Sequence, residues 1–244
     1  MIALPPLGKL EDQLWLALMD IAERRAIDWT LVGGQMVLLH ALEHGATPPR
    51  VSTDLDLVVD ARVRPPAIPA MAEVLDDLGF RLGGIAPDGV GHRFVRGRVT
   101  IDLLAPEGAG PRADLGVGRG AETVPVGGGT YALIRTQLVD VSAAGRAGRV
   151  PRPDLAGALV LKAAAARSDR KRGPERHLSD LAFLLSLVPD PFALRDELGA
   201  KNCGRIRAVT ALTDDDHPAW RGLDTAVRSS AKAAFTLVTG RAVK

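Results

Sequence analysis

The sequence is short of several features that would narrow its class at once. Its 244 residues include one cysteine, Cys203. No intrachain disulfide can form, so a reducing, cytoplasmic compartment is expected. Cys203 has no matching His–Asn constellation and is a poor candidate nucleophile. Aromatic residues make up only 4% of the chain, too few for a stacking platform that would hold single-stranded nucleic acid. Neither sign of charge is in excess: 31 basic residues face 29 acidic ones, a formal net charge of +2. Bulk charge therefore allows nucleic-acid binding without implying it, and any such binding needs a local basic patch. No apolar run is long enough to span a membrane. Met1 to Leu10 has no apolar core behind a basic segment, so neither a signal peptide nor a membrane partner is expected.

What is present is an ordinary globular composition, 46% hydrophobic and 25% charged, enough to bury a core in one large domain or two small ones. Residues 1–150 read as an α/β half. Leu14, Leu18 and Ile21 have helical spacing, Ile27 to Val32 reads as a strand, and Gln35 to His44 as a helix closed by Gly45. Leu55 to Val59 is a second strand and Ala67 to Leu78 a helix. His92 to Val95 and Arg98 to Leu104 form a hairpin around Gly97. Ala105 to Gly120 reads as a long loop, and Thr123 to Val126 and Tyr131 to Arg135 as short edge-type elements. Val150-Pro151-Arg152-Pro153 marks a boundary, and residues 151–244 read as a helical domain packed on the first. Its predicted helices are Ala156 to Arg167, Glu175 to Leu187, Pro191 to Leu198, Arg205 to Leu212 and Leu223 to Val238.

The chemistry gathers around two stretches. In the first, the apolar run Leu31-Val32 ends in Gly33-Gly34, a helix follows, and a strand then carries Asp54 and Asp56. Side chains alternate along a strand, so both aspartates point to one face while Leu55, Leu57 and Val59 point to the other. Two carboxylates side by side repel unless a cation lies between them, and paired hard oxygens suit Mg²⁺. Glycines without Cβ atoms let a phosphate approach the backbone, and the helix behind them offers free N–H groups.

In the second stretch, Lys162 stands in an otherwise apolar helix, where it either snorkels to solvent or points into a cleft. A basic loop with Arg170, Lys171, Arg172 and Arg176 follows, and His177-Leu178-Ser179-Asp180 then opens a further helix. His40 and His44 have metal-like spacing without a third ligand, and are read as a core-edge residue and a surface residue.

Gly-Gly, a helix and then Asp-Leu-Asp-Leu resembles the signature of polymerase-β-like nucleotidyltransferases, whose core is a mixed sheet. Asp102, within Val99-Thr100-Ile101-Asp102-Leu103-Leu104, fits the third carboxylate of that family on a later strand. The long spacing from Gly34 to Asp54, with Arg50 and Ser52 before the aspartates, is similar to the AbiEii/AbiGii toxin branch. In that branch an apolar helix bearing a lysine precedes a basic loop and a Lys-Asp-Xaa-Xaa-Asp-Leu helix start. Lys162 matches the lysine and Asp180-Leu181 the final Asp-Leu. His177 departs from the pattern, standing where the first Asp belongs.

The resemblance implies NMP transfer from an NTP to an acceptor hydroxyl at a two-metal Mg²⁺ site held by Asp54, Asp56 and Asp102. It also implies that Lys162 binds the triphosphate and that Asp180 positions Lys162 or the acceptor. Gly33, Gly34, Ser52 and Arg93 complete the predicted nucleotide-binding set. The implied setting is a type IV toxin–antitoxin pair, with a cognate antitoxin protein as partner and tRNA or another RNA as acceptor, its backbone met by the basic loop. The rival expectations are an antibiotic-type enzyme with a small-molecule acceptor, and a catalytically silent nucleotide-binding module on the same fold.

Overall fold

The computed structural model describes residues 1–6, 8–24, 29–62, 67–169 and 173–244. Arg170, Lys171 and Arg172 of the basic loop, and the predicted strand start at Ile27, lie outside the described residues.

The chain opens with β1 (Ile2–Ala3), α1 (Lys9–Arg24), β2 (Trp29–Val32), α2 (Gly33–Glu43), β3 (Asp54–Val59) and α3 (Ala67–Asp77). There follow β4 (Arg81–Leu82), β5 (Arg93–Arg96), β6 (Val99–Pro106), β7 (Gly116–Gly118), β8 (Ala121–Glu122) and β9 (Pro125–Val126). A short helix α4 (Gly129–Ile134) precedes the hairpin of β10 (Thr136–Ala143) and β11 (Arg146–Pro153). The remainder is helical: α5 (Leu155–Ser168), α6 (Glu175–Ser186), α7 (Pro191–Arg207), a 3₁₀ turn (Thr210–Thr213), α8 (Pro218–Arg221) and α9 (Thr225–Thr239).

The expected fold class holds: a mixed sheet comes first and a helical region after it. The main sheet runs β2-β3-β6-β5-β4, with β9 added beside β6. β3 and β6 are parallel, while β2–β3 and β5–β6 are antiparallel. One face of β3, carrying Leu55, Leu57 and Val59, is fully buried, and Leu14, Leu18 and Ile21 of α1 are buried in the same core. The apolar alternation fixes this register, because a slip of one residue would bury the aspartates instead. On the opposite face Val58 is covered by α4, where a Cβ on Gly129 would come within 3.3 Å of Val58 Cγ1. At the Asp54–Asp56 end the face of β3 is part-exposed.

Three local readings are corrected. Tyr131 to Arg135 is not an edge strand. It belongs to helix α4 and its C-terminal cap, because Gly128 takes a φ of +83 where the chain passes α5, and a Cβ there would lie 3.1 Å from Leu161 Cα and Val160 O. Only a glycine fits there, and the turn it makes starts a helix. The loop from Ala105 to Gly120 is interrupted, since β6 runs on to Pro106 and Gly116–Gly118 pairs with β8. The boundary stretch Val150–Pro153 is the last part of β11, paired residue for residue with Thr136–Val139. Its hairpin turns at Ala144 (φ 51) and Gly145 (φ 78), the two positive angles of a type I′ turn. In the helical region the limb predicted as Pro191 to Leu198 ends where Gly199 adopts φ 65, ψ 172. The second limb then runs to Arg207 rather than starting at Arg205.

Candidate active site

α2 begins directly at the end of β2. Its N-cap is Val32, which has no side chain to satisfy the first N–H groups, so these remain available to an anion. Gly33 sits at φ +72, and a Cβ there would lie 1.8 Å from Asp56 Oδ2. A Cβ on Gly34 would lie 2.4 Å from Ser52 Cβ. Both glycines are therefore required by the packing of the site, and Gly33 by its backbone geometry as well. Gln35 ties the segment before β3 to α2 by donating from Nε2 to Ser52 O at 2.7 Å. Ser52 Oγ in turn donates to Asp54 Oδ1 at 2.6 Å.

The sheet register brings the three carboxylates together. Asp56 stands opposite Asp102 across the parallel β3–β6 pair, and Asp54 lies two residues back on the same face. One oxygen of each lies within 4.8 Å of the others. Burial, then the charges of Asp54 and Asp102, push the Asp56 carboxyl up to about 7. A hard-oxygen donor set whose own repulsion resists ionisation fits a divalent cation. Asp102 also faces Arg93 across the antiparallel β5–β6 pair. Arg93 donates from Nε to Oδ1 at 2.8 Å and from Nη2 to Oδ2 at 2.7 Å. The same Nη2 lies 4.0 Å from Asp54 Oδ2.

A cationic wall faces the carboxylates. Lys162 is 3% exposed and Asp180 is fully buried, so the lysine does not snorkel to solvent. Its Nζ donates to Asp180 Oδ2 at 2.7 Å. Arg50 reaches the same carboxylate with Nε to Oδ1 at 3.2 Å and Nη2 to Oδ2 at 2.9 Å. Burial opposes the charge on Asp180, but Lys162 and Arg50 prevail and hold its carboxyl below the usual range. Burial lowers the Lys162 ammonium, and Asp180 opposes that shift. The cleft between the walls is lined on its polar side by Gly33, Arg50, Ser52, Asp54, Asp56 and Lys162. Leu104, Pro125, Val126 and Leu161 line its apolar side.

The fold thus brings Gly33, Gly34, Ser52, Asp54, Asp56, Asp102 and Arg93 to one end of the sheet, and sets Lys162 with Asp180 across from them. Arg93, expected to meet phosphate, is engaged with Asp102. Arg50 is a site residue to which the sequence reading gave no separate role, since its tie to Asp180 spans 130 positions. Arg176, expected as part of the basic loop, donates from Nη2 to Asp169 Oδ2 at 2.6 Å beside His177; all three line the cleft. Burial, then the charge of Lys162, brings His177 down to about 4, so it is a neutral imidazole at pH 7.

His40 and His44 join no metal-ligand group among the described residues. His40 is 1% exposed, lies against Arg152 and is lowered to about 3, first by burial and then by Arg152. It is a core residue rather than one at the core's edge. Cys203 is buried, and burial raises its thiol. Among the described residues no helix is long and apolar enough to cross a membrane.

No family model matches the chain, and no curated protein matches it. Among solved structures, the chain is similar to the solution structure of the antibiotic-resistance factor ANT(2'')-Ia. The TM-score is 0.42 at 15% identity, covering 79% of this chain and 86% of that one.

Proposed function

We propose that this protein is a nucleotidyltransferase that moves an NMP from an NTP to an acceptor hydroxyl, with residues 1–150 as the nucleotidyltransferase core and 151–244 as a helical domain packed on it. The observation that carries the reading is the three-carboxylate cluster of Asp54, Asp56 and Asp102 beside the uncapped start of α2. Its donor set suits Mg²⁺, which when bound supplies charge neutralisation at a phosphoryl oxygen and a more acidic acceptor hydroxyl.

The chain's own residues supply the rest. The free N–H groups of α2 and the close approach permitted at Gly33 and Gly34 receive phosphate oxygens. Lys162 and Arg50, held by Asp180, place two positive charges where charge develops on the leaving pyrophosphate. Asp180 is a positioning residue in this reading, since it is fully buried beneath both cations. Ser52 holds Asp54 in orientation. The apolar side of the cleft, at Leu104, Val126 and Leu161, accommodates the base or sugar and excludes water.

The biological setting rests on the sequence resemblance: an AbiEii-like toxin, neutralised by an antitoxin protein and acting on tRNA or another RNA. The test is incubation with each labelled NTP, Mg²⁺ and total RNA, set beside Asp54→Asn/Asp56→Asn. A labelled RNA formed by the wild type alone supports the reading. Label on no acceptor, from any NTP, would overturn the transferase. For an RNA acceptor, changing Arg170, Lys171 and Arg172 to Ser is expected to flatten the salt dependence of RNA affinity by up to about 3 × 0.7–0.9 log units per log unit of salt. An unchanged slope removes the loop from the acceptor site.

A further inference from the structure

Four charged side chains cluster on the main sheet, Asp56, Asp102 and Arg93 in one cross-strand row and Asp54 two residues back along β3. Asp54 and Asp56 come from β3, Asp102 from β6 and Arg93 from β5. The position of Arg93 is set by the backbone, because it is the direct antiparallel partner of Asp102. Its guanidinium forks both oxygens of Asp102, at 2.8 and 2.7 Å, and its Nη2 lies 4.0 Å from Asp54 Oδ2. These are the carboxylates that would hold a divalent ion under the proposed function, on which this inference rests.

The two ends of the pair differ in freedom. Asp102 is 7% exposed at its side chain and Arg93 is 37% exposed. The carboxylate is fixed, whereas the arginine has a flexible stem and open space to leave by. Ser52 already occupies Asp54 Oδ1, so the Asp54 oxygen nearest Arg93 is the one turned toward the cluster.

We infer that Arg93 is a resident counter-ion of the carboxylate cluster. It partly neutralises Asp102 and Asp54 while no divalent cation is bound, competes with the cation for the Asp102 oxygens, and passes to a substrate phosphate when both arrive. A guanidinium that forks a carboxylate forks a phosphate equally well, so the exchange keeps two hydrogen bonds on each side. Metal occupancy is thereby tied to substrate: without an anion to receive Arg93, binding the ion means turning a charge loose beside it.

The test is Mn²⁺ binding to the nucleotide-free protein at pH 8, read by the electron-paramagnetic-resonance signal of free Mn²⁺. Arg93→Gln, which removes the competing charge, is expected to tighten Mn²⁺ binding by about three- to tenfold. Arg93→Lys keeps the charge without the fork and is expected to fall between the two. In ¹⁵N spectra the Arg93 Nε–H signal is expected to move on adding Mg²⁺, and to move again on adding inorganic pyrophosphate. Unchanged or weaker Mn²⁺ binding in Arg93→Gln overturns the inference, the weaker result meaning that Arg93 orients Asp102 for the metal. The underlying reading fails separately: Mn²⁺ binding that survives Asp54→Asn/Asp56→Asn, or is absent from wild type and Arg93→Gln alike, removes the metal site and the counter-ion role with it.

Discussion

Asp180, fully buried, and Asp56, half-buried in the cleft, are two carboxylates with opposite surroundings. Asp180 has two cations, Lys162 and Arg50, within 3.2 Å, and its charge is stabilised. Asp56 has two carboxylates as neighbours, and burial first, then their charges, push its carboxyl up to about 7. The first is a closed ion network that completes itself on folding. The second is held against its own repulsion by the sheet register, and is complete only with an added cation. A site that works against stability marks where a ligand belongs, while a satisfied one marks how the ligand's other contacts are held in place.

The largest expected effect breaks the satisfied side. Asp180→Ala leaves Lys162 and Arg50 without their shared partner, and Lys162 remains buried. Loss of about 3–5 kcal/mol is expected, measured by urea denaturation. A loss under about 1 kcal/mol would mean that the network is not closed as described.

Next comes the strained side, where the sign reverses. A carboxyl with a raised folded value binds its proton more tightly folded than unfolded. The metal-free protein is therefore expected to lose stability as pH rises from about 4 to about 7, by on the order of 2–4 kcal/mol, and to level off above that. Asp56→Asn is expected to remove this slope, to melt higher than wild type at pH 8 and to transfer no nucleotide. Thermal melts at several pH values with EDTA check it, and a slope that persists in the variant contradicts the assignment. Mg²⁺ is expected to restore the stability of the wild type at pH 8, because it binds only the folded arrangement.

A smaller effect is expected at the glycine turn. Gly33→Ala combines a positive φ with a Cβ driven into the Asp56 carboxylate, and about 1–3 kcal/mol should be lost together with NTP binding. Gly45→Ala supplies the contrast. Gly45 has φ +63 but nothing within 4 Å of an added Cβ, so only the backbone part is lost and NTP binding is kept. Equal damage at both positions would mean that the closeness of Asp56 is irrelevant.

The smallest stability change is expected for Lys162→Met, which fills the same space without charge while Arg50 continues to pair with Asp180. Stability within about 1 kcal/mol of wild type, with NTP affinity down by about tenfold or more, separates a ligand-facing lysine from a merely structural one. Unaltered nucleotide titration would assign Lys162 to structure alone.

Sequence by itself determined the alternating strand of Asp54 and Asp56, the apolar strand around Asp102, the glycine pair and the order of strands before helices. All of these are short-range patterns: side-chain period, turn chemistry and helical spacing act within about ten residues, and are written in the chain. It did not reveal the β10–β11 hairpin, because an Ala144-Gly145 turn lacks the usual Asn-Gly signal. Nor did it reveal helix α4, six residues long and too short for a helical period to show. Only tertiary structure decided that Asp102 stands opposite Asp56, that Arg93 covers Asp102, and that Arg50 reaches Asp180 from 130 positions away. Each of these depends on strand register or on helices packing against a sheet. Pairings of that kind are fixed by the summed burial of many side chains, and no local stretch of residues records them.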